Sequence, residues 1–169
     1  MIQLDFRLTT RYDDYHDVPT WFILEHEGHF RISIDDQTVF DQPYLAILEF
    51  LRDAAPWARN PDKSAPMLYT CIQADENPLV SFVEEDGEWF IRSPWETHHS
   101  DRACRRDDLA TAVLALEQRV KEELMATYGP EAANAVARAS QPEKRRRTLL
   151  EAIRDLLLFG RGGGGNREP

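Results

Sequence analysis

No stretch of this 169-residue chain approaches the roughly 20 consecutive apolar residues that span a bilayer. The opening "MIQLDFRLTT" carries an acid early and alternates polar with apolar residues, so it lacks the basic start and apolar block of a secretory leader. These two absences argue against a helical membrane protein and set the expectation of a cytoplasmic one. Cysteine is also scarce. Cys71 and Cys104 are the only two, far apart and without a CxxC spacing, which excludes a disulfide framework or a thiolate metal knuckle and leaves both expected as free thiols. Cys71 falls in an expected strand, where a buried apolar role suits it. Cys104 lies between Arg102 and Arg105–Arg106, cations that are expected to lower its thiol pKa.

Catalytic signatures are missing as well. There is no GxSxG around any serine, no HExxH or HxH, and no glycine loop ending in GK[ST]. "EHEGH" (25–29) has the wrong spacing for a metalloprotease and reads as hairpin residues. The run Gly160, Gly162–Gly165 follows no strand and precedes no helix, so it reads as a tail rather than a phosphate cradle. The expectation is a protein that is not an enzyme and needs no cofactor.

Positive charge is short in the first hundred residues. Nineteen of the thirty acids but only seven of the twenty Lys and Arg fall there, leaving residues 1–100 at −12 and the remainder at +2 within a net −10. Such a surface repels nucleic acid and anionic membranes and steers basic partners toward itself. The one basic cluster, "EKRRR" (143–147), could pair with the acidic region in place of nucleic acid.

What is present is periodicity. Ile2, Leu4, Phe6 and Leu8 alternate with polar residues, the pattern of a half-buried strand. "TWFILEHEGHFRISI" reads as two strands turning at Glu27-Gly28, with a further turn at Asp35-Asp36 and a short strand at 38–40. Asp41 and Pro43 predict a helix start, and Pro56 its end. "MLYTCIQ" (67–73), "PLVSFVEE" (78–85) and "EWFIRS" (88–93) predict three more strands, the last two joined by Asp86-Gly87, a strong hairpin signal. A long helix starts at Asp107 or Asp108, carries the stripe Leu109, Val113, Leu116, Val120 and Leu124, and ends at Gly129. Short helices are expected near 130–139 and 143–159.

Hairpins dominate and no βαβ alternation occurs. The predicted fold is therefore α+β, an antiparallel sheet of about six strands in the order βββ-α-βββ-α with helices packed on one face. The expected organisation is a sheet domain at 1–127, a helical extension at 128–159, and a disordered glycine-rich tail at 160–169.

Two groups of residues are candidates for function. "SPWETHHSD" (93–101) contains ligand types for a metal in Glu96, His98, His99 and Asp101, although adjacent histidines in extended chain point apart. The plainer reading is a solvated loop with Trp95 packed beneath it. The second group is a set of acidic loops, Asp13, Asp14 and Asp17 with Tyr15, Asp75 and Glu76, and Glu84, Glu85 and Asp86, interleaved with Tyr12, Trp21, Trp89 and Trp95. Acids supply steering and aromatics supply contact area at low entropy cost, so together they suit a surface for a basic protein. Trp89 is expected in the core, and Tyr12 and Tyr15 at the surface.

"FRISIDDQTVFDQPYLAILEFLRDAAPW", "VSFVEEDGEWFIRSPW" and "DDLATAVLALEQRVKEEL" together resemble small uncharacterised bacterial α+β domains found among polymorphic-toxin immunity proteins, over about residues 1–127. The resemblance implies a cytoplasmic, acidic, non-enzymatic protein that blocks a toxin by binding it, and it brings no catalytic residue. The leading expectation is thus a protein-binding domain with an acidic face. The alternatives are a metal protein or metal-dependent enzyme built on the 96–101 loop, and a structural protein that pairs with a second copy through its C-terminal helix.

Overall fold

Two-residue turns organise both sheets. In the computed structural model, which describes residues 1–9, 27–60, 62–71, 74–95 and 101–139, Asp35 and Asp36 have φ of 48° and 65°, and Asp86 and Gly87 have φ of 52° and 86°. Positive φ at both central residues is what a type I′ hairpin requires, and Asp and Gly bear it at low cost. Each turn folds one strand back on the next.

Among the described residues the chain runs β1 (Ile2–Leu8), β2 (Glu27–Ile34), β3 (Gln37–Ala46), α1 (Ile47–Arg59), β4 (Met67–Tyr69), β5 (Val80–Glu85), β6 (Glu88–Arg92), α2 (Arg106–Tyr128) and α3 (Pro130–Ala139). It is an α+β fold. The strands do not form the single six-stranded sheet expected from the sequence. They form two three-stranded antiparallel sheets, β1-β2-β3 and β4-β5-β6. The reason lies in α1, which leaves β3 without a break and lies between the sheets. Its Phe50 meets Phe30 of the first sheet at 4.9 Å and Tyr69 of the second at 5.6 Å, ring centre to ring centre. Trp57, two turns on, meets Phe82 at 5.3 Å and Trp89 at 5.6 Å. The inward faces of both sheets and the apolar sides of all three helices belong to one buried cluster.

Three local readings are corrected by tertiary contacts. The helix expected from Asp41 and Pro43 begins only at Ile47, because residues 41–46 pair with β2, Asp41 with Arg31 and Leu45 with Gly28. Pro43 is tolerated because β3 is an edge strand and the register slips between Gly28 and Phe30. Pro56 does not end the helix, which continues to Arg59. Glu27-Gly28 is not a turn but the start of β2, with Gly28 opposite Leu8 on one side and Leu45 on the other. A Cβ on Gly28 would stand 2.8 Å from the carbonyl oxygen of Arg7 and 3.3 Å from Cγ1 of Ile47. The glycine is there so that two backbones can approach. Gly28→Ala is expected to cost about 1–3 kcal/mol through forced separation of β1 and β2, read as a lower urea midpoint; an unchanged midpoint would show that the strands adjust freely.

The long helix follows its stripe. Leu109, Val113, Leu116, Val120 and Leu124 are all fully buried, and Gly129, with φ of 85°, terminates it. α3 adds Ala132 and Val136 to the same core. No helix among the described residues is long and apolar enough to cross a membrane. The helix expected at 143–159 and the tail at 160–169 lie outside the described residues.

Candidate functional site

The turn between β4 and β5 brings acids and aromatics together. Asn77 shapes it: its side-chain oxygen accepts from the Cys71 N–H at 3.0 Å, and its amide donates to the carbonyls of Cys71 at 3.2 Å and Ala74 at 3.1 Å. These bonds satisfy backbone groups that a three-residue strand cannot pair, and they hold Asp75 and Glu76 outward. Trp95, just past β6, closes over the turn. Its backbone N–H donates to Ser93 Oγ at 3.0 Å and its indole N–H to Glu76 Oε2 at 2.9 Å. The ring is thereby set beside a carboxylate while still 36% exposed. The loop it was expected to pack beneath lies, at residues 96–100, outside the described residues.

Opposite Trp95 stands Tyr44, near the end of β3 and 70% exposed. Between them is a cleft of about 470 Å³, floored by Leu45, Tyr69, Cys71 and Leu79. Its lining holds two carboxylates and three aromatic rings, and among the described residues no Lys, Arg or His. Behind the floor the charge is again acidic. The Tyr69 hydroxyl donates to Glu49 Oε2 at 3.5 Å, and buried Glu49 and Asp53 share Arg52 at 3.3 Å each. Burial first, then Cys71 and Glu49, pushes the Tyr69 hydroxyl far above its ordinary pKa, so it stays neutral.

The other predicted acids fall elsewhere. Glu84, Glu85 and Asp86 form the tip of the β5–β6 hairpin, separated from Asp75 and Glu76 by the length of β5, ~17 Å at about 3.3 Å per residue. Glu85 is neutralised by Arg92, whose guanidinium reaches it at 2.9 and 3.1 Å and stacks 4.6 Å from the centre of the Phe90 ring. Asp13, Asp14, Tyr15 and Asp17 lie outside the described residues, as do Glu96, His98 and His99. Asp101 is exposed. Among the described residues no group of three or more His, Cys, Asp or Glu is placed to hold a metal ion.

A larger cleft, about 680 Å³, lies between the tip of that hairpin and the start of α2, but its walls mix Lys63, Arg105 and Arg106 with Glu84, Glu88 and Asp107. Lys63 and Asp107 pair at 2.9 Å across it. Mixed signs, part of them already paired with each other, give no net preference for a cation or an anion, whereas the smaller cleft offers one sign of charge, which is why the smaller one is the better candidate.

Cys104 lies on the wall of the larger cleft, and the expectation of a lowered pKa is overturned. Its backbone bridges to Trp89, with N–H to carbonyl distances of 2.7 and 3.3 Å. Burial, then Asp108 and Asp35, raises the thiol to about 11. Two of its three cationic neighbours are engaged elsewhere. Arg106 turns into the core against Trp57, and Arg102 reaches Asp35 at 3.4 Å. Sequence neighbours of a cysteine tune it only where their charges share its space.

Tyr44 and Asn77 were not singled out by the sequence. Tyr44 reads as a residue of the misplaced helix start. Asp-Glu-Asn-Pro reads as a turn, but nothing in it shows that the Asn77 side chain ties that turn together.

Compared with curated proteins and with solved structures, the chain has no match. A family model matches residues 2–126, a span that includes every residue lining the smaller cleft. The chain therefore belongs to the family described as Domain of unknown function (DUF7878).

Proposed function

We propose that this chain is a non-enzymatic cytoplasmic domain that binds a basic protein through its acidic surface and inhibits it by occlusion, as immunity-type proteins do. The observation that carries the reading is the distribution of uncompensated acid around the second sheet. Asp75 and Glu76 project at one end of β5, and Glu84, Asp86 and Glu88 at the other. All are exposed, and only Glu85 among the acids of this sheet has an arginine partner within the described residues. Exposed acids of one sign contribute little to fold stability and much to the rate and choice of association. The aromatic rim at Tyr44 and Trp95 adds apolar contact area beside them.

The test is affinity capture with the wild-type chain and with a variant carrying Asp75→Asn, Glu76→Gln, Glu84→Gln and Asp86→Asn, followed by titration of the captured protein against both. A basic partner whose Kd rises at least about tenfold in the variant is expected, since four lost steering charges act together. Capture of only acidic partners, or equal binding by both chains, would overturn the reading.

A further inference from the structure

We infer that the smaller cleft receives a single arginine side chain of the partner, stacked on Trp95 with its guanidinium hydrogen-bonded to Glu76 and Asp75. This deepens the reading above and rests on it, but it assigns one site and one chemical group.

Three features of the cleft select the guest. First, its charge is all of one sign, two carboxylates without a described counter-ion in the lining, so a cation is the complementary occupant. Second, Trp95 is both partly exposed and hydrogen-bonded to one of the carboxylates. The bond from its indole N–H to Glu76 favours one relation of ring and carboxylate before any guest arrives, which lowers the ordering entropy lost on binding. That bond occupies Oε2 of Glu76 and leaves Oε1 as an acceptor, while the Asp75 carboxylate has no hydrogen-bond partner among the described residues. Third, the acceptors and the ring lie in the same cleft. A guanidinium uses both at once, because its flat face stacks on an aromatic ring while its edge carries five N–H donors. An ammonium is a compact, strongly hydrated point charge that uses the carboxylates but stacks less well, and a quaternary ammonium has no N–H for them at all.

The probes are blocked arginine amide, blocked lysine amide and tetramethylammonium, each titrated into the full chain while the indole N–H resonance of Trp95 is followed by NMR, assigned by its loss in Trp95→Phe. The arginine amide is expected to move that resonance saturably, with the lysine amide and tetramethylammonium each about fivefold weaker or more. Glu76→Gln is expected to weaken the arginine amide by about fivefold, while Glu84→Gln with Asp86→Asn, at the far end of β5, leaves it unchanged. Glu76 is exposed, so its variant keeps the fold. No saturable shift, equal binding of all three cations, or indifference to Glu76→Gln would overturn the assignment. The two proposals fail separately: a captured basic partner that depends on Glu84 and Asp86 but not on Glu76 leaves the binding function standing and removes the arginine site. Saturable arginine binding without a basic partner does the reverse.

Discussion

Replacing Phe50 by alanine is expected to destabilise the chain by about 3–5 kcal/mol, the largest effect of any single truncation proposed. Phe50 is fully buried on α1, and its ring touches Phe30 in the first sheet and Tyr69 in the second. No ladder joins the two sheets among the described residues, so their relative position rests on side chains of this kind. A cavity at that point removes contacts on both sides and leaves neither sheet a neighbour to relax against. Tyr69 also floors the acidic cleft, so the variant is expected to lose arginine-amide binding along with stability. Urea denaturation reads the first effect, and the Trp95 resonance the second. Phe50→Leu, which keeps most of the volume, should recover the larger part of both. A loss under about 1 kcal/mol for Phe50→Ala would mean that the sheets are held together elsewhere.

Replacing Arg106 is expected to be nearly as costly, about 3 kcal/mol for Arg106→Ala. This guanidinium is more than nine-tenths buried, with no carboxylate within ion-pair distance among the described residues. Its compensation comes from other groups. One nitrogen donates to the carbonyls of Trp57 at 3.0 Å and Asn60 at 3.3 Å, and the guanidinium lies 4.6 Å from the centre of the Trp57 ring and 5.9 Å from that of Trp89. Those carbonyls end α1, where the helix dipole is negative and its last acceptors have no partner within the helix. Arg106 thus caps one helix from the first residue of another. Replacing a buried charge with an apolar side chain is often harmless, but here Arg106→Met would leave the half-buried Asn60 carbonyl without its donor and the Trp57 carbonyl with only the Asn60 N–H at 3.0 Å, so it too is expected to destabilise. Arg105→Ala, one residue away and exposed, should change stability by less than about 0.5 kcal/mol. Equal midpoints for Arg106→Met and the wild type would refute the capping role.

These two residues differ in how visible they are beforehand. Phe50 sits in a run of apolar residues and is a natural core member, but its double contact depends on where α1 lies. Arg106 reads as one more cation beside Cys104, because a sequence shows what is adjacent along the chain and not what a long side chain reaches. The same limit explains the corrections at residues 41–46. Asp41 and Pro43 are good helix-start residues, yet ladder bonds to β2 outweigh a local preference of a few tenths of a kcal/mol to about 1 kcal/mol. Pro56 carries a strong local signal, but a residue in the last turns of a helix forfeits one backbone bond, and the burial of Trp57 together with the Arg106 cap holds the end in place.

The acidic cleft was visible only in pieces. Asp75 and Glu76 stood out as acids in a turn, and Trp95 as an aromatic near the acidic loops. Their meeting with Tyr44 and Tyr69 is a product of two sheets folding around α1, which sets residues 44–46, 69–79 and 95 side by side.

By itself the sequence determined the class of the fold, the turns at Asp35-Asp36 and Asp86-Gly87, the apolar stripe of α2, and the acidic balance of the first hundred residues. Each of these is a local or summed property: backbone sterics at two residues, a period along one element, a count of charges. Only the tertiary structure decided that the strands divide into two sheets, that Gly28 is a point of close approach, that Cys104 is half-buried with its thiol pKa raised rather than lowered, and that acid and aromatic side chains share one cleft. Those outcomes depend on which surfaces α1 buries, and burial is settled by all the elements packing at once.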